Sequence, residues 1–118
     1  MRITETAIPG LLIIDLDVHG DNRGWFKENW SGQKLTPKQH NVSFNARRGA
    51  TRGMHAEPWD KWVSVATGRV FGAWVDMREG SATFGEKFTC EIGPDTAVYV
   101  PRGVANGFQA LEDNTTYI

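Results

Sequence analysis

The feature that most constrains this sequence is its punctuation. Runs of β-branched, aromatic and other apolar residues, none longer than seven, are separated by glycine, proline and aspartate. Residues 10–15, 41–45, 61–65, 69–75, 88–92 and 96–100 are such runs, long enough for strands and too short for helices with a full apolar stripe. Between them, Thr67-Gly68, Glu79-Gly80-Ser81, Gly93-Pro94-Asp95 and Pro101-Arg102-Gly103 supply the φ-permissive or φ-fixed residues that tight turns require. Helix signals are scarce. Only residues 34–40, after the Ser31-Gly32 break, suit a short turn, and Pro37 limits even that. Six or more strands at this spacing predict an all-β fold, an antiparallel jelly-roll sandwich or barrel.

No repeat or linker-like shift in composition divides the chain, so residues 1–118 read as a single domain. A chain of this length buries roughly two thirds of its unfolded surface, which is enough core without a metal or disulfide staple. Lys and Arg total 13 against 14 Asp and Glu. That balance excludes a long-range pull toward nucleic acid or membrane, so an anionic partner has to be caught by local arginines. Cys90 is the only cysteine, which excludes an internal disulfide and suits a reducing compartment. The first residues form no charged-then-apolar leader, and the longest apolar run, residues 11–14, is far short of a membrane span. A cytoplasmic location is the expectation. Thr115-Thr-Tyr-Ile118 reads as a strand that has begun with no turn residue to end it. Because a jelly roll usually has about eight strands, the expectation is a domain lacking its C-terminal part.

His55 is the histidine whose setting suggests chemistry. Arg47, Arg48 and Arg52 precede it, and Glu57-Pro-Trp-Asp60-Lys61 follows. A lone histidine at a strand end ordinarily serves structure, but one flanked by fixed cations has a reason to stay neutral, as a general base must. Alternation along residues 61, 63 and 65 sends Lys61 to the inward face, where it can polarise a carbonyl and stabilise an enolate. A metal site, the natural rival in such a barrel, needs two histidines one residue apart, a nearby glutamate and a later histidine. Glu57 stands where the second histidine would be, and His19 and His40 lie far upstream, so no metal is expected. A second polar cluster, Asp21-Asn-Arg23-Gly24-Trp-Phe-Lys-Glu28, offers an arginine fork and a carboxylate suited to a phosphate and a hydrogen-bonding ring. It also makes an ordinary turn. Trp62 and Trp74 read as core, whereas Trp59, between Pro58 and Asp60, is placed to stack on a ligand.

These pieces fall into an ordered pattern: Asp21-x-Arg23-Gly24, Arg52-Gly-x-His55, Lys61, Gly68-x-Val-Phe71, Val75-Asp-x-Arg78-x-Gly80-Ser81-x-Thr-Phe84-Gly85 and Pro101-x-Gly103-x-Ala105-x-Gly107-Phe108. Together they resemble the dTDP-4-dehydrorhamnose 3,5-epimerase family, from about residue 8 to the end. The resemblance implies a cupin-like jelly roll that works as a homodimer without metal or cofactor. It implies epimerisation at C3 and C5 of dTDP-4-dehydro-6-deoxy-glucose on the route to dTDP-L-rhamnose. It also implies His55 as the proton-abstracting base, Lys61 as the residue steadying the C4 enolate, and Asp76 as an acidic residue near it. Arg52 resembles a diphosphate ligand, and Arg23 and Glu28 resemble nucleotide contacts that reach across the dimer. Gln39 and Asn41 resemble a polar pair on the substrate wall, one residue further from Arg52 than the family's spacing.

The chain departs from the pattern in three places. The stretch from His55 to Lys61 is about four residues shorter than the family's, which trims the loop over the sugar. Asn106 stands where the family usually has histidine, losing a proton carrier but keeping a donor and an acceptor. The family's general-acid tyrosine would fall one position past Ile118, and Tyr117 is not its match. Two further readings follow from these departures: a nucleotide-sugar-binding module without turnover, and a related single-carbon epimerase or ketoisomerase.

Overall fold

The computed structural model describes residues 1–32 and 35–118. The described residues form strands β1 (Arg2–Glu5), β2 (Leu12–Asp15), β3 (Val18–Asp21), β4 (Gly24–Lys27), β5 (Ser43–Asn45), β6 (Thr51–His55), β7 (Lys61–Thr67), β8 (Val70–Asp76), β9 (Lys87–Ile92), β10 (Thr96–Val100), β11 (Val104–Ala110) and β12 (Thr115–Tyr117). One sheet runs β1-β2-β10-β7-β12-β5, a second runs β6-β11-β8-β9, and β3 pairs with β4 as a separate hairpin. Every ladder is antiparallel. This is the all-β jelly-roll arrangement that the alternation of strand and turn predicts. All six sequence runs contain a strand, and among the described residues no helix forms and none could cross a membrane. The turn expected at residues 34–40 begins outside the described residues, and residues 35–40 carry no regular structure.

Side-chain alternation builds the core between the sheets. On β8, Val70, Gly72, Trp74 and Asp76 point inward, and Val63 and Val65 of β7 meet them with Val98, Val100, Val104, Phe108 and Tyr117. Trp74 is fully buried, as read from the sequence. Trp62 instead joins Ile14, Leu16, Ala97 and Tyr99 in a smaller cluster. The segment after β4 is tied to this region. The Lys27 ammonium donates to the carbonyls of Val65 and Pro94, both at 2.8 Å, and the Trp62 indole donates to the Asn29 carbonyl at 2.8 Å.

Strand β11 was not among the runs read from the sequence, because Asn106, Gly107 and Gln109 interrupt its apolar pattern. Its place is set by neighbours on both sides. Seven consecutive residues pair with β8, and the other edge pairs with β6.

Candidate active site

Strand β6 carries one residue too many for its partner. Arg52 lies opposite Phe108 and His55 opposite Asn106, so three steps along β6 match two along β11. In an uninterrupted strand, residues three apart face opposite sides. The bulge turns Arg52 and His55 to the same side. Gly53 makes it possible. Its φ is +106°, and a Cβ there would lie 2.7 Å from the Asn106 carbonyl oxygen and 2.8 Å from the Gly107 Cα, so the conformation and the close approach both require glycine.

Both side chains open into a cleft of 1590 Å³, which Gln39, Asn41, Trp59, Lys61 and Asn106 also line. Seven of the ten residues picked out from the sequence therefore share one cavity. The Lys61 ammonium donates to the His55 carbonyl at 3.4 Å, joining the end of β6 to the start of β7. Burial pushes the Lys61 pKa down from its ordinary value, and the Glu57 carboxylate opposes that shift.

Two supports behind the cleft's lining were not picked out from the sequence. The Arg52 Nε donates to Asn45 Oδ1 at 2.9 Å, while the Asn45 amide donates to the Thr115 carbonyl at 3.1 Å. Asn45 is 2 % exposed, so it joins β5, β6 and β12 from inside. An asparagine in a strand, where its β propensity is poor, is the signal that could have marked it. The second support fixes the loop between β6 and β7. The Tyr99 hydroxyl and the Arg102 backbone N–H each donate to the Asp60 carboxylate at 2.8 Å, and the Gly103 N–H donates to the Glu57 carbonyl at 3.0 Å. Burial and the bond to Asp60 push the Tyr99 hydroxyl up to about 12.

The other three residues lie elsewhere. Asp76 is fully buried and does not line the cleft. Arg78 donates to it from Nε at 2.9 Å and Nη2 at 3.0 Å, Ser81 Oγ donates at 2.7 Å, and Thr83 Oγ1 donates as well. These bonds, Arg78's above all, hold its carboxyl well below the usual carboxylate range. It organises the β8–β9 connection. Arg23 sits at the tip of the β3–β4 hairpin, ion-paired with Asp21 at 2.6 Å, and lines only a small hollow there. Glu28 is exposed just past β4 and is also outside the cleft. Within one chain, then, neither Arg23 nor Glu28 meets His55. Tyr117 does line the cleft, stacked on Phe108 at 3.9 Å between ring centroids. Burial raises its pKa. Among the described residues no three His, Cys, Asp or Glu side chains are grouped to hold a metal ion.

Comparison with known proteins adds a family to this geometry. The family model for dTDP-4-dehydrorhamnose 3,5-epimerase matches residues 5–118. A "Protein RmlC homolog" of Streptococcus pyogenes serotype M6 is 51 % identical over 93 % of this chain. A dTDP-4-dehydrorhamnose 3,5-epimerase of Shigella flexneri is 33 % identical over the whole chain and 72 % of its own length. The solved structure of RmlC from Streptococcus suis in complex with dTDP-D-xylose superposes with a TM-score of 0.88 at 50 % identity, over 98 % of this chain and 66 % of that one. The chain spans 61 % of the length of the S. pyogenes relative. With the fold, the ordered motifs and the matched range in agreement, the chain belongs to the dTDP-4-dehydrorhamnose 3,5-epimerase family.

Proposed function

We propose that this protein epimerises C3 and C5 of dTDP-4-dehydro-6-deoxy-glucose, a step toward dTDP-L-rhamnose. The observation that carries the reading is the shared cleft: a histidine and a lysine at adjoining strand ends, with an arginine turned to the same side by the β6 bulge. His55 removes the proton next to the C4 ketone. Lys61 stabilises the enolate oxygen as charge develops there, a proton originating in solvent is returned from the opposite face, and His55 releases to solvent the one it took. The same sequence at the second carbon completes the epimerisation. Arg52 holds the diphosphate with the terminal nitrogens that Asn45 leaves free. Gln39, Asn41 and Asn106 bind polar groups of the sugar nucleotide, and Trp59, half exposed in its loop, stacks on an apolar face of the ligand.

The hairpin fits the same account. Trp25 and Phe26 are exposed, Phe26 by 70 %, and the Lys27 anchor fixes where the hairpin leaves the body. In a homodimer, this arm brings Arg23 and Glu28 to the nucleotide in the partner's cleft. The proposed enzyme uses no metal or cofactor and works in the cytoplasm. Asp76 serves by bracing the turn after β8 rather than by touching substrate.

Proton NMR of the protein with dTDP-4-dehydro-6-deoxy-glucose in deuterated water tests this. Deuterium at both C3 and C5 in a rhamno-configured product is the expected result. Uptake at one carbon alone would replace the proposal with a single-carbon epimerase. Nucleotide binding with no uptake would replace it with a binding module.

A further inference from the structure

Trp74, Asn106 and His55 lie in one row across three neighbouring strands: Asn106 on β11 is paired with Trp74 on β8 and with His55 on β6. The fully buried Trp74 donates its indole N–H to Asn106 Oδ1 at 2.7 Å, and the Tyr117 hydroxyl donates to the same oxygen at 3.4 Å. An indole N–H can only donate, so it decides which end of the amide faces it. The oxygen is held on the Trp74 side. The amide nitrogen is left for the cleft that Asn106 lines, and no acceptor among the described residues is bonded to it. Gly72 makes room for this arrangement. A Cβ there would collide with Trp74 Cη2 and lie 3.0 Å from Cζ2 and Cζ3, so the ring lies back along its own strand over the glycine.

We propose that Trp74 is a positioning residue which, through Asn106, makes the cleft wall beside His55 a hydrogen-bond donor selective for an acceptor oxygen of the substrate. This deepens, and rests on, the reading of the cleft as a nucleotide-sugar site. A freely rotating amide would offer either end. Held by the indole, Asn106 offers two N–H bonds, and a ligand group that can only donate is left unpaired at that point, which costs affinity.

The test is binding of dTDP-glucose by calorimetry, which needs no turnover, in variants of the full chain. Asn106→Asp keeps an acceptor for Trp74 but replaces the donor by a carboxylate. It should bind about tenfold more weakly than wild type and more weakly than Asn106→Ala. Trp74→Phe removes the indole donor and should weaken binding about threefold in the wild-type background, and by nothing further in Asn106→Ala. A melting curve on each variant separates loss of fold from loss of affinity. Wild-type affinity in Asn106→Asp, or a Trp74→Phe effect that persists without Asn106, would overturn the proposal. Failure of the epimerase reading would show separately, as absent deuterium uptake by a wild-type protein whose dTDP-glucose binding still responds to Asn106→Asp.

Discussion

Arg52 and His55 are an odd number of residues apart on one strand, yet they face the same cleft, because their partners Phe108 and Asn106 are an even number apart on the next. The extra residue is accommodated at Gly53, whose backbone lies against Asn106 and Gly107. An arginine and a histidine are thereby set on one wall, where the proposed function has them hold the diphosphate and take the proton.

Gly53→Ala tests this device. The new methyl meets backbone atoms that cannot swing away, and alanine disfavours φ near +106°. The variant should lose about 2 kcal/mol or more of stability, read from urea denaturation. It should also bind dTDP more weakly as Arg52 moves.

Asn45→Ala removes the acceptor for Arg52 Nε and leaves the Thr115 carbonyl without its amide donor. The Thr115 bond is buried and the Arg52 bond half-buried, and the expected loss is about 1–3 kcal/mol. Calorimetry with dTDP should show weaker binding even where the variant is fully folded. Unchanged affinity would mean that Arg52 finds its position without Asn45.

Asp76 governs acid stability. Its carboxyl titrates well below the ordinary value of 3.8, chiefly because Arg78 donates to its ionised form, with Ser81 and Thr83 adding to that. A depressed folded-state pKa contributes stability that is complete above the unfolded value and is lost as pH falls below it toward the folded one. Melting temperature should therefore decline below about pH 4. In Asp76→Asn it should start lower, by about 2 kcal/mol of stability, and decline less over the same range.

Lys61 sets the alkaline limit. Burial lowers its pKa, so in the proposed function the charge that steadies the enolate is lost at lower pH than for a free lysine. The pH profile of kcat should fall on its alkaline side below the ordinary lysine value of about 10.4. Glu57→Gln, which removes the opposing carboxylate, should move that limb further down.

Much of the fold was legible in short apolar runs and their turn residues, because period-two burial leaves a direct trace in sequence. Strand β11 left little trace: Asn106 faces the cleft and Gly107 admits Met54, whose sulfur would lie 2.5 Å from a Cβ there. Of the candidate site, the ordered motifs named Arg52, His55 and Lys61, and all three line one cleft. What was hidden depends on contacts distant in sequence. Asn45 reaches Thr115 across 70 positions, and Trp74 reads as plain core until its indole is seen against Asn106. The resemblance put Asp76 near Lys61, but a motif shows which residues accompany a carboxylate and not which way it points. On the inward face of β8 it meets Arg78, Ser81 and Thr83, outside the cleft.

The central claim is that His55 takes the proton beside the ketone. The most direct measurement is the initial rate of deuterium incorporation at C3 of dTDP-4-dehydro-6-deoxy-glucose, followed by proton NMR, for the protein and its His55→Ala variant. If His55 is the base, the rate falls about 10²- to 10⁴-fold in the variant, with dTDP affinity retained. An unchanged rate in a folded His55→Ala protein would contradict it.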